Sequence, residues 1–206
     1  MDTQDKVLTE LATHLGRTFY DTLNEGAEPR EMVAFVAQNK HVVTAMLPPV
    51  TPETKENLRD WVVLLAAAVG SDGVVWVADT WMRRYMKDDL PVEVRPSEDP
   101  RSVEAVMISV GKMEPEGPGM KSMCMVYHRE DDGTLTWEEP DGTTGREMRN
   151  APIKGDIPGY LATMVTPEVE PAPPGALERV AECMKAEGFI FLWHEGDGIR
   201  IDPPLD

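Results

Sequence analysis

Apolar residues recur at spacings of three and four through Val7, Leu8, Leu11, Leu15, Phe19 and Leu23, the one-sided stripe of an amphipathic helix that Asn24-Glu25-Gly26 would end. After Pro29 the series Met32, Val33, Val36, Val43, Met46 and Leu47 keeps near-helical spacing and predicts a second helix. Asn39-Lys40-His41 interrupts its stripe, and a strand over 42–47 is the alternative. Pro48-Pro49 stops that element. Thr51-Pro52-Glu53 then supplies an N-cap, a proline at the first helical position and an early acidic residue. Leu58, Trp61, Val62, Leu65 and Val69 give the following helix its buried face, and Gly70 closes it.

The pattern changes at Gly73. Val74-Val75-Trp76-Val77-Ala78 is a β-rich run without polar alternation, as expected of a central strand covered on both faces. Glu104 to Val110, Ser122 to His128 and Thr134 to Glu138 predict three more strands, with a loop over Gly111 to Gly119 and a tight turn at Asp132-Gly133. Residues 139–158, rich in Gly, Pro and charge, read as an irregular surface excursion, and Tyr160 to Val165 as a further strand. Beyond the Pro-rich spacer 166–175, Ala176 to Glu187 predicts a helix with Leu177, Val180, Ala181 and Met184 inward, followed by two short strands about a glycine turn at 189–202. The expected fold class is α+β: N-terminal helices packed on a central, mainly antiparallel sheet, a meander over about 73–139, and a C-terminal helix plus β-hairpin. A chain of 206 residues fits a single domain, with a sub-boundary in the 166–175 spacer.

Charge narrows the partners. With 37 acidic against 20 basic residues the formal charge is −17, so the chain repels polyanions and direct nucleic-acid binding is disfavoured. The apolar run from Trp61 to Val69 is far shorter than the roughly 18 to 20 residues of a membrane span, and the polar start Asp2-Thr3-Gln4-Asp5-Lys6 lacks signal-peptide character. A cytoplasmic location follows as the expectation. Cys124 and Cys183 have no metal-type spacing and are expected to be reduced and mostly buried.

Candidate chemistry gathers between Ser71 and Val110. Asp79, Trp81, Arg83, Arg84, Glu98, Asp99, Arg101 and Glu104 are close in sequence, and a carboxylate paired with an arginine beside an indole would make a pocket for a small polar or cationic ligand. The plainer reading is an Arg101 that clamps its own loop through Glu98 or Asp99, with Trp81 filling the core. Ser97 lacks the glycine-flanked elbow of a catalytic serine and reads as a turn residue. His14, His41, His128 and His194 are scattered, no zinc, calcium-loop or phosphate-cradle pattern occurs, and no metal or cofactor is implied.

Asp79-Thr80-Trp81, Pro96-Ser97-Glu98-Asp99-Pro100-Arg101 and Glu104-Ala105-Val106 together resemble a loose group of small uncharacterised bacterial and phage proteins, in which a strand ends in an acid and a Trp and a Pro-Ser-acid-x-Pro-Arg loop leads into the next strand. The resemblance implies a shared loop and a bacterial or phage origin, and it carries no activity.

Three functional readings follow. The first is a non-enzymatic accessory protein acting through protein contacts or self-association, since 13 methionines, four of them at Met113, Met120, Met123 and Met125, suit an adaptable apolar face. The second is a small-molecule enzyme or binding protein with its pocket at 79–104. The third is an acidic inhibitor of a DNA-binding protein.

Overall fold

The computed structural model describes residues 2–51, 54–83, 102–138, 161–165, 172–195 and 198–204. Helix α1 (Thr3–Asn24) is followed by strands β1 (Met32–Ala37) and β2 (Lys40–Met46), helix α2 (Lys55–Val69), and strands β3 (Gly73–Arg83), β4 (Ser102–Glu114), β5 (Gly117–Arg129) and β6 (Leu135–Trp137). Helix α3 (Ala176–Ala186) and strands β7 (Ile190–Glu195) and β8 (Gly198–Asp202) complete the described chain. The strands form one open sheet in the order β6-β5-β4-β3-β1-β2-β7-β8, and every pairing is antiparallel. The α+β class and the meander from β3 to β6 are as the sequence predicts.

The expected second helix is instead the hairpin β1–β2. Met32 through Val36 are all buried, with Val33 and Phe35 in the core on one face and Met32, Ala34 and Val36 in the core on the other. A surface helix buries one stripe, whereas a strand inside a layered fold buries both faces, and continuous apolar runs serve the second case. Of the expected interruption Asn39-Lys40-His41 only Asn39 lies in the turn, Lys40 and His41 already belonging to β2: Gln38 and Asn39 take φ values of 52° and 60°, the two left-handed residues of a hairpin turn matched to strand twist.

Helix α1 covers one face of the sheet through Leu8, Leu11, Leu15, Phe19 and Leu23. Helices α2 and α3 cover the other, where Leu58, Val62, Leu65, Ala181 and Met184 meet Val74, Trp76 and Phe191. Helix α2 begins later than expected, at Lys55 with Thr54 and not Thr51 as its N-cap. The Thr51 hydroxyl instead accepts the Thr54 N–H at 3.3 Å in the turn before it. Gly70 ends the helix in the left-handed region as expected, and Pro52 and Glu53 lie outside the described residues.

Three further expectations change. Residues 161–164 form a helical turn, not a strand, because Leu161, Met164 and Val165 are buried at the i, i+3, i+4 spacing of a helix face. The loop expected over Gly111 to Gly119 contracts to the two-residue connection Pro115-Glu116, since β4 and β5 remain paired out to Glu114 and Gly117. Cys183 is exposed on α3, and Cys124 is half-buried on β5, where burial pushes its thiol up to about 11. The C-terminal hairpin joins the main sheet, with β7 paired to β2.

Gln38 bears the cost of a left-handed backbone in a residue with a Cβ. Gln38→Gly should therefore raise stability by about 0.5–1 kcal/mol, read as a higher urea midpoint at unchanged denaturant slope.

Candidate functional site

Cross-strand pairing explains how the candidate residues meet. Trp81 lies opposite Glu104, Glu104 opposite Tyr127 and Tyr127 opposite Trp137, so these four share the face covered by α1. Asp79, two residues before Trp81, shares it too. Tyr127 is fully buried, and its hydroxyl needs a partner. It lies 2.9 and 3.0 Å from the two Asp79 carboxylate oxygens, with its single proton donated between them. Glu104 Oε1 stands 3.5 Å away, and Arg129 Nε is 3.6 Å from that same Glu104 oxygen.

The electrostatics follow from this crowding. Lost hydration is the largest influence on Asp79 and raises its pKa, the Tyr127 hydrogen bond works against that, and the like charge of Glu104 adds to the rise. Asp79 retains solvent exposure as a residue, so the effect concerns the carboxylate held against Tyr127. The Tyr127 hydroxyl is pushed strongly upward by burial and then by Asp79. The group can hold a proton between an acid and a phenol, and its evident task is to satisfy a buried tyrosine.

The structure brings Asp79 and Glu104 together about Tyr127. Trp81 does not fill the core: it is 46% exposed. Only the backbone of Arg83, paired with Ser102, is described. Arg84, Ser97, Glu98, Asp99 and Arg101 lie outside the described residues. Sequence reading missed Tyr127 and Arg129; the signal for both is their place on a strand two positions apart, opposite Glu104 and beside the hairpin turn.

It also missed a histidine pair. The register between β1 and β2 slips so that Phe35 faces Val43 while Val36 faces His41, leaving Val42 as the extra residue of a bulge. His41 is thereby turned onto the α1 face with Thr44, whose hydroxyl lies 2.9 Å from its Nε2. The His194 ring from β7 lies against it, tilted by 35°, with centroids 3.6 Å apart. Burial first, and then the neighbouring His194 and His14, bring His41 down to about 4. Among the described residues no group of three or more His, Cys, Asp or Glu is arranged to hold a metal ion.

Two titrations test these assignments. Tyr127→Phe should raise the Asp79 pKa further, followed by NMR of the carboxyl carbon, because the hydrogen bond that favours the ionised form is lost. For His41 the folded protein favours the neutral ring, so the unfolded chain takes up the proton first. Its contribution is intact above the ordinary value of 6.5 and is lost as pH falls toward about 4. His41→Asn should flatten that part of the acid limb in urea midpoints measured against pH.

Comparisons of the chain with protein-family models, curated proteins and solved structures return no match.

Proposed function

We propose that this is a non-enzymatic accessory protein that works through protein contacts, and that it self-associates through β8. The observation that carries this reading is the character of the sheet edge. Strand β8 pairs with β7 on one side only among the described residues. Ile199 and Ile201, 61% and 64% exposed, project from it on one face. Natural edge strands are blunted by lysine, proline, bulges or inward charge. Residues 198–202 contain no lysine or proline, and Arg200, the one cation in the strand, is held 3.0 and 3.1 Å from the two Asp202 carboxylate oxygens.

An antiparallel two-fold pairing centred on Arg200 sets Ile199 of one copy against Ile201 of the other, and extends the sheet across the dimer. The two central arginines tolerate the approach because each is neutralised by its own Asp202. Burying the isoleucines removes apolar surface from water and satisfies the free strand edge in the same step.

Size-exclusion chromatography with light scattering over a range of concentrations is the test. The expected result is a dimer mass for the native chain and a monomer mass for Ile199→Lys/Ile201→Lys. A native chain that stays monomeric throughout, or a dimer indifferent to the double substitution, overturns the reading.

A further inference from the structure

A groove of about 650 Å³ runs between α1 and the β4–β5 hairpin, on the side of the sheet remote from β8. Its wall on α1 extends from Asp5 to Asp21, which is roughly 24 Å at the rise of an α-helix. The helix is fastened to the sheet at both ends of this span. Near its start Lys112 Nζ donates to Asp5 at 2.7 Å. Near its end Tyr20 packs on Trp137 with ring centroids 4.4 Å apart, and Trp137 Nε1 donates to Asn24 at 3.0 Å. Between the fastenings the wall carries Leu8, Thr9, Ala12, Thr13, Gly16 and Arg17 over a floor of Ile108, Val110, Met123 and Met125. At the bottom of the groove Gly16 packs directly on Ile108, which leaves no room there for a Cβ.

The two threonine hydroxyls of the wall are already used. The Thr9 and Thr13 hydroxyls donate to the carbonyls of Asp5 and Thr9 at 2.7 and 2.8 Å, so these donors are spent within the helix. Charge along the groove is balanced, with Arg17, Lys112 and Lys121 against Asp5, Asp21 and Glu114, in a chain whose formal charge is −17. A long, apolar, electrically even channel offers nothing to a compact polar ligand or a polyanion, and the protein's field repels dissolved anions. Methionines in the floor can repack around a flexible occupant.

We infer that the groove binds the unbranched alkyl chain of a free single-chain amphiphile with an uncharged head, of the fatty-alcohol or monoacylglycerol class. The chain lies along α1 beside Ala12 and Thr13, above the contact between Gly16 and Ile108, and the head emerges at one fastened end. The inference is independent of association through β8.

Displacement of the neutral fluorescent probe N-phenyl-1-naphthylamine from the full-length chain tests it. Saturated primary alcohols of increasing length should compete, each methylene tightening binding by roughly threefold to fourfold until the chain fills the groove and the gain stops. The carboxylate of the same length should compete at least tenfold less well. Thr13→Trp, which fills the groove from an exposed helix position, should abolish probe binding, while Thr18→Trp, outside the groove on the same helix, should leave it intact; circular dichroism checks that both fold. Probe binding that survives Thr13→Trp, or no competition by any alcohol, overturns the site. Stronger competition by the carboxylate overturns the uncharged head.

Discussion

Val33 and Phe35 reach one side of β1, Ala34 and Val36 the other, and neither set meets water. Strand β3 repeats the arrangement, with Val74 and Trp76 on one side and Val75 and Val77 on the other. A sheet whose middle is apolar on both faces folds only with a cover on each. That requirement places α1 on one face, α2 and α3 on the other, and recruits the chain's last hairpin to widen the sheet beside β2. It also explains why the apolar cores lie in two clusters separated by the sheet.

The covers are unequal. Among the described residues one helix covers the face that carries Tyr127, His41 and Met123, and a single helix is narrower than eight strands. What lies under α1 is dry, and what lies to either side is partly open. Asp79, the paired histidines and the groove all fall along the margins of α1, where a side chain has lost part of its hydration while still reaching solvent. Such margins are where titratable groups acquire displaced pKa values. A buried salt-bridge network is not needed to explain Asp79 or His41: burial is the first cause in both.

Much of the fold was legible because period and burial agree. Leu8, Leu11, Leu15 and Phe19 recur as a helix does, and 74–78 is continuous as a doubly covered strand is. The 32–47 segment misled because Met32, Val33, Val36 and Val43 fit a helical spacing by accident of a run in which almost every position is apolar; spacing loses its meaning when both faces are buried. Leu161, Met164 and Val165 failed in the opposite sense, a single helical turn too short to show periodicity. The site was half legible. Asp79 and Glu104 stood out as acids at strand ends, but the group that unites them, Tyr127, sits 23 residues beyond Glu104, and only strand register reveals that they face each other.

The same dependence on register gives the bulge at Val42 a wider meaning. Alternation along a strand ties each side chain to a face, and substitution cannot break that tie. One extra residue does so for everything on one side of it while the strand beyond keeps its partners, as Val43 and Thr44 keep theirs on β1 and β7. Relocating an imidazole from the helix pair's side of this sheet to the opposite side thus requires the gain or loss of a single codon. That makes the face occupied by His41 a trait an evolving lineage can reverse in one step.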